Sequence, residues 1–163
     1  MKLLSLLLLG AASLLAQIPD ALKPPPTESL MLKALGRGKQ IYECRGAAGK
    51  FEWVLETPQA DLLDAQGKVI GRHFQGPTWQ ATDGSKVVGE VQQHANSPHA
   101  GAIPWLLLKA KSHEGAGTFA RVTYIQRLNT VGGAAAPEGC DSGHAGKEIA
   151  VEYQADYYFY SAR

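Results

Sequence analysis

The clearest hydrophobic pattern lies at the end of the chain. Ile149, Val151, Tyr153, Ala155, Tyr157 and Phe159 alternate with Glu148, Glu152, Gln154, Asp156, Tyr158 and Tyr160. Successive side chains of a strand point to opposite faces, so this period of two predicts a strand with a core face and a wetter face. Shorter runs precede it. Residues 30–35 and 39–45 flank Gly36-Arg37-Gly38, which predicts a hairpin, although the first run also fits a short helix. Residues 51–56, 60–63 and 68–74 follow, the last two around Asp64-Ala65-Gln66-Gly67. Residues 78–81 and 86–92 flank Asp83-Gly84, a dipeptide favoured where a hairpin turn needs positive φ. Residues 103–111 and 118–128 form two longer runs separated by Gly115 and Gly117. Helical periodicity is absent from most of the chain. The pattern predicts an all-β fold, an antiparallel sandwich or closed barrel of about eight or nine strands.

The N-terminus follows a different rule. Lys2 precedes an uncharged Leu-rich run over residues 3–15, and Ala16 supplies a small residue before Gln17. That order is the order of a secretory signal peptide. The apolar run is shorter than the roughly 20 residues that a membrane-spanning helix needs. A signal peptide over 1–16 is therefore expected, then a Pro-rich leader over 17–28 lying outside the sheet, then one β domain over 29–163. Pro19 and Pro24-Pro25-Pro26 set the leader apart, because proline removes backbone donors and favours extended chain.

Charge and cysteine content narrow the class. The formal net charge is +1, and Lys2 belongs to the signal, so the exported part is close to neutral. No basic excess points to nucleic acid. Cys44 and Cys140 are the only cysteines, and an isolated pair in an exported chain predicts a disulfide. A bridge closing a loop of about 100 residues stabilises by on the order of 4–5 kcal/mol in the loop-entropy account, before any strain. The eighteen glycines and nine prolines suit many turns between short strands.

Motifs that would carry chemistry are weak. Asp141-Ser142-Gly143 after Cys140 resembles the nucleophile segment of chymotrypsin-like proteases, but His144 stands where those enzymes have a further glycine. The five histidines, His73, His94, His99, His113 and His144, show no metal-ligand spacing; His94 and His99 are five apart, unlike His-Glu-x-x-His. Gly36-Arg37-Gly38-Lys39 lacks the spacing of a phosphate loop, and no Gly-x-Gly-x-x-Gly occurs. No metal or cofactor is expected. The candidate binding residues are His73, Trp79, Asp83, Trp105 and Arg127. Trp79 and Trp105 follow Gly76-Pro77 and Ile103-Pro104, and each either plugs the core or lines a ligand groove.

Several segments in order carry a resemblance. They are Gln40-Ile41-Tyr42-Glu43-Cys44, then His73-Phe74-Gln75-Gly76-Pro77-Thr78-Trp79 with Asp83-Gly84-Ser85, and Ile103-Pro104-Trp105-Leu106-Leu107-Leu108. Ile125-Gln126-Arg127-Leu128 through Thr130 to Gly132-Gly133, Cys140, and Tyr153-Gln154-Ala155-Asp156-Tyr157 complete the set. Together they resemble a family of exported bacterial and fungal proteins classed as domain of unknown function 3455. The resemblance implies secretion and supplies no reaction. Tyr42-Glu43-Cys44 with Phe51-Glu52-Trp53 is also similar to small periplasmic lysozyme-inhibitor barrels, over one strand pair.

Three functional expectations follow. The first is an exported, non-catalytic binding or surface module, periplasmic or extracellular, taking a small molecule, glycan or protein. The second is an extracytoplasmic enzyme with a site assembled across strands from His73, Asp83 and Arg127. The third is a protein inhibitor presenting the Gly/Ala-rich loop 132–146.

Overall fold

The computed structural model describes residues 17–163, and the expected signal peptide over 1–16 lies outside them. Eight antiparallel strands form one sheet that closes on itself as a barrel. They are β1 (Glu28–Ala47), β2 (Lys50–Leu63), β3 (Val69–Phe74), β4 (Thr78–Ala81), β5 (Lys86–Ala95), β6 (Trp105–Glu114), β7 (Tyr124–Gly132) and β8 (Glu148–Ala162). Each strand pairs with the next, and β1 pairs with β8 from Glu28↔Ala162 to Glu43↔Glu148, which completes the ring. Of the two architectures open to the sequence, the barrel is the one adopted. Pairing of β1 with β8 leaves neither terminal strand as a free edge, a common hazard in all-β proteins.

The alternation in β8 works as its pattern requires. Tyr153, Ala155, Tyr157 and Phe159 are buried, while Glu152 and Gln154 are exposed. In the core, Phe119 stacks on Phe159 with centroids 4.7 Å apart. Leu62, Val87, Val122 and Ile125 fill the space around them. Gly84 has φ +88, so the Asp83-Gly84 turn joins β4 to β5 as its sequence demands.

The expected hairpin at Gly36-Arg37-Gly38 does not exist, and neither does the short helix over 30–35. Residues 28–47 are one uninterrupted strand. The two glycines serve close packing instead of a turn. A Cβ on Gly36 would lie 2.4 Å from Tyr157 Cε2, and one on Gly38 would lie 2.0 Å from the Gln59 carbonyl oxygen. Likewise the runs 51–56 and 60–63 are one strand, β2, running through Pro58. Proline is tolerated there because β3 begins to pair only at Ala60↔His73, which leaves that flank of β2 without a partner. A bulge at Ile41/Tyr42 lies beside it in β1. The run 118–128 is also revised: β7 starts at Tyr124, and the preceding residues turn inward to bury Phe119.

A second, smaller cluster sits on the outside of the barrel. Asp20–Leu22 form one 3-10 turn, and Leu22 is fully buried against Trp105, Leu107 and Leu128. Gln126 Nε2 donates to the Leu22 carbonyl at 2.5 Å and Tyr160 Oη donates to Gln126 Oε1 at 2.6 Å. Burying one Leu side chain contributes roughly 1.5–3 kcal/mol, so the segment before β1 is docked onto the wall of β6–β8.

Cys44 and Cys140 are disulfide-bonded. The bridge fastens the β7–β8 loop over one end of the barrel. Further ties are Tyr42 Oη to the Gly133 carbonyl (2.6 Å), Trp53 Nε1 to the Glu138 carbonyl (2.9 Å) and Gly146 N to the Cys44 carbonyl (2.8 Å). Among the described residues no helix is long and apolar enough to cross a membrane.

Candidate functional site

Strand length creates the opening. β2 has 14 residues and β5 has 10, whereas β3 and β4 between them have 6 and 4. The β3–β4 hairpin pairs with β2 only from Ala60 and with β5 only as far as Val88. Above it the barrel wall is missing two strands. The gap is a lateral window, bounded by Leu55, Glu56 and Pro58 of β2, by Gly76-Pro77 at the hairpin tip, and by Val91 of β5. It leads into a pocket of about 310 Å³.

The inner wall of that pocket is aromatic. His73 and Trp79 are cross-strand partners in β3 and β4, both almost fully buried, and their rings stack with centroids 4.4 Å apart and planes 7° from parallel. Tyr157 stands edge-on to both, at 5.3 Å from His73 and 5.7 Å from Trp79. Leu106 and Leu108 of β6 complete the apolar lining. Tyr153 Oη lies 3.1 Å from Tyr157 Oη, deeper under the disulfide-fastened loop.

Protonation states follow from burial. His73 Nδ1 lies 3.0 Å from the Thr78 carbonyl, which only accepts, so Nδ1 carries the proton. Desolvation lowers the imidazole pKa to about 3 and keeps the ring neutral, with the Thr78 bond opposing the shift and the Arg127 charge reinforcing it. Nε2 is then a lone-pair acceptor. Burial likewise raises the phenols of Tyr42, Tyr153 and Tyr157, although the Arg127 charge partly offsets the shift in all three.

Arg127 is the cation of the pocket. Its cross-strand partners Leu106 and Tyr157 both face the pocket, so its side chain leaves β7 on the same side. Arg127 Nε donates to the Pro104 carbonyl at 3.0 Å. No carboxylate among the described residues forms an ion pair with it. Glu56, the other charged residue of the lining, is paired with Arg45. Gln40 is buried with its side-chain Oε1 unpartnered, and so is the Trp79 indole N–H. A buried polar group left without a partner costs about 1–3 kcal/mol, and Trp105 Nε1 in the outer cluster is a third such atom.

Of the five residues singled out from the sequence, the structure brings His73, Trp79 and Arg127 to this pocket. Asp83 and Trp105 stand apart from its lining. Asp83 is in the β4–β5 turn, where it accepts from Ser85 N (2.9 Å), Ser85 Oγ (2.6 Å), Thr118 N (2.8 Å) and Thr118 Oγ1 (2.7 Å). These bonds, led by the Ser85 hydroxyl, hold its carboxyl far below the usual range. Trp105 belongs to the outer cluster with Leu22. Of the other histidines, His113 Nε2 donates to the Val122 carbonyl at 2.7 Å and His144 pairs with Asp141. Among the described residues no three His, Cys, Asp or Glu side chains converge.

A family model described as "Protein of unknown function (DUF3455)" matches residues 24–161. The chain belongs to that family. No curated protein and no solved structure gives a significant match. The match to DUF3455 runs from before β1 to the penultimate residue of β8, and so the whole pocket lies within it.

Gln40 and Tyr157 were not among the residues that the sequence pointed to as ligands. Tyr157 stood in a core pattern, which is also where it stands in the structure. Gln40 left a signal: it is a polar residue on the same period-two face as Ala34, Gly36, Gly38 and Tyr42. Dividing β1 at its glycines hid that register.

Proposed function

We propose that this protein is an exported, non-catalytic binding module that holds a small molecule in the lateral pocket of its barrel. One observation carries the reading. Beside the packed core, a lateral window opens into a pocket of about 310 Å³ whose lining combines the His73, Trp79 and Tyr157 rings with apolar side chains and a single cation, Arg127. Eight-stranded barrels are just wide enough either to be filled by side chains or to hold one small ligand. Apolar walls with a few convergent polar groups are the usual composition of a ligand site. Leu55 and Val91, exposed at the rim, extend the apolar surface to the entrance.

Binding is favoured over catalysis by how the titratable groups are placed. The enzyme reading needs His73, Asp83 and Arg127 together, and Asp83 is committed to the β4–β5 turn. His73 is neutral and has no carboxylate to orient it; its Nδ1 is held by a backbone carbonyl. The inhibitor reading needs a protruding loop, and the β7–β8 loop is fastened down by the disulfide and by Trp53. Export to the periplasm or beyond fits the disulfide, which persists in oxidising compartments.

The test uses a neutral apolar dye, N-phenyl-1-naphthylamine, with the disulfide-intact protein. Dye fluorescence should rise on binding to the folded chain, and Leu106→Trp, which fills the pocket, should abolish the rise. No enhancement by the native protein, or an enhancement indifferent to Leu106→Trp, overturns the reading.

A further inference from the structure

We propose that the pocket's ligand is a small planar aromatic acid, with its ring against Trp79 and Tyr157 and its carboxylate on the Arg127 guanidinium. This names the ligand class of the binding pocket and rests on that reading. Three observations carry it, and the first is charge. Arg127 faces inward, beside rings that burial keeps neutral, and it has no carboxylate partner among the described residues. It leaves β7 on the same side as Leu106 and Tyr157, its cross-strand partners, and lines the pocket with them. Arg127 is held by the Pro104 carbonyl and the Tyr157 phenol, both neutral. A partly buried cation with only neutral partners calls for an anion, because charge-assisted bonds are the ones that offset desolvation. The other charged residue of the lining, Glu56, is paired with Arg45, which also holds Glu43.

The second observation is the shape of the donors. One guanidinium fork matches the two coplanar oxygens of a carboxylate. A phosphate dianion would bring a second charge into a pocket that has no second cation in its lining. Gln40, buried and without a protein partner for its side-chain oxygen, is the one amide side chain in the same lining.

The third is the wall. Trp79, stacked on His73 and edge-on to Tyr157, backs the pocket as part of a packed aromatic array with no rotameric freedom to lose on binding. A volume of about 310 Å³ is at the low end for ligand pockets, which suits one ring system with a short acid arm. His73 Nε2, left as an acceptor by the Nδ1–H bond to Thr78, suits a ring hydroxyl or ring N–H.

The experiment is calorimetric titration of the disulfide-intact protein with indole-3-acetate and 4-hydroxyphenylacetate, each beside its primary amide. The acids should bind at least tenfold more tightly than the amides, with the Trp79 indole N–H resonance shifting on addition. Arg127→Gln should bring acid affinity down to that of the amide. Amides that bind the native protein as tightly as the acids overturn the acid inference while leaving the pocket reading intact. So does binding of the neutral dye alone. If neither the acids, the amides nor the dye binds, the pocket reading fails along with it. The comparison of acid with amide uses the native chain, so it decides the matter even if the Arg127 variant folds poorly.

Discussion

The imidazole of His73 lies flat on the indole of Trp79, 4.4 Å from centroid to centroid, and neither ring has appreciable contact with solvent. The pair is at once the packed wall of the barrel and the inner wall of its pocket. β3 and β4 pair at His73↔Trp79 within a hairpin too short to continue the wall, so the same register that stacks the rings also leaves the window above them. Core and site are therefore not alternatives at this position.

Trp79→Ala should destabilise the domain by about 3–5 kcal/mol, the usual cost of deleting a buried aromatic ring. Tyr157, Phe159 and His73 all lose a packing partner. Urea denaturation of the variant should show a much lower midpoint with an unchanged slope. A variant as stable as the native protein would mean that the ring is not part of the core.

The buried imidazole predicts a pH dependence with a definite sign. Its folded pKa, about 3, lies below the ordinary value of 6.5, so the unfolded chain takes up a proton that the native state refuses. The stability that neutral His73 contributes is complete above pH 6.5 and falls as pH drops toward 3, by at most about 1.4 kcal/mol per unit. Unfolding free energy measured at pH 7 and pH 5 should fall for the native protein and fall less for His73→Gln. Equal pH dependence in the two would assign the effect to other groups.

The legibility of this fold was uneven for physical reasons. β8 could be read because it separates water from core on alternate residues along its whole length. β4 could be read because a positive-φ turn ends it at Gly84. β1 was misread because glycine has two uses, reversing a chain and letting chains approach closely, and composition does not distinguish them. Only Tyr157 and Ala60, far away in sequence, reveal that Gly36 and Gly38 have the second use. The site was half legible. His73 and Trp79 are close in sequence and joined by one hairpin, whereas Gln40, Arg127 and Tyr157 meet them only through barrel closure. Asp83 drew notice as a carboxylate beside a rigid turn, and its hydrogen bonds go to Ser85 of that turn and to Thr118.

Asp83→Ala should therefore lower the melting temperature without altering occupancy of the pocket. The carboxylate ties the β4–β5 turn to Thr118 and, through Ser85 Oγ, to the backbone of buried Phe119 at 3.0 Å. Its depressed pKa means that it contributes stability above the ordinary carboxylate range and loses it on acidification through the folded value. Dye binding by the folded variant should match the native protein. A selective loss of binding at unchanged melting temperature would contradict this assignment.

Reduction of the Cys44–Cys140 bridge should destabilise the protein by up to about 4–5 kcal/mol in the loop-entropy account, since 96 residues separate the partners. The β7–β8 loop would then be held to the barrel by Tyr42, Trp53 and backbone bonds alone. Alkylation of the native protein without reductant should modify neither cysteine. Melting curves with and without reductant measure the effect, and coincident curves would show that the loop is anchored without the bridge.

Gly38→Ala is the sharpest test of the strand that replaced the expected hairpin. In a turn, a glycine at negative φ accepts alanine with little change, and the loss of unfolded-state freedom can even stabilise. Gly38 is in the middle of β1, opposite Ala60 of β2, and its φ is not in the left-handed region. An added methyl would meet the Gln59 carbonyl oxygen at 2.0 Å and the Ala60 Cα at 2.6 Å, both backbone atoms that cannot rotate away. The strands would have to part, and overpacking of this kind costs about 1–3 kcal/mol. Gly38 is two residues from Gln40, so the displacement would also reach the pocket wall. Gly38→Ala should therefore lower both the denaturation midpoint and dye affinity, and a variant with native stability would restore the turn reading of Gly36-Arg37-Gly38.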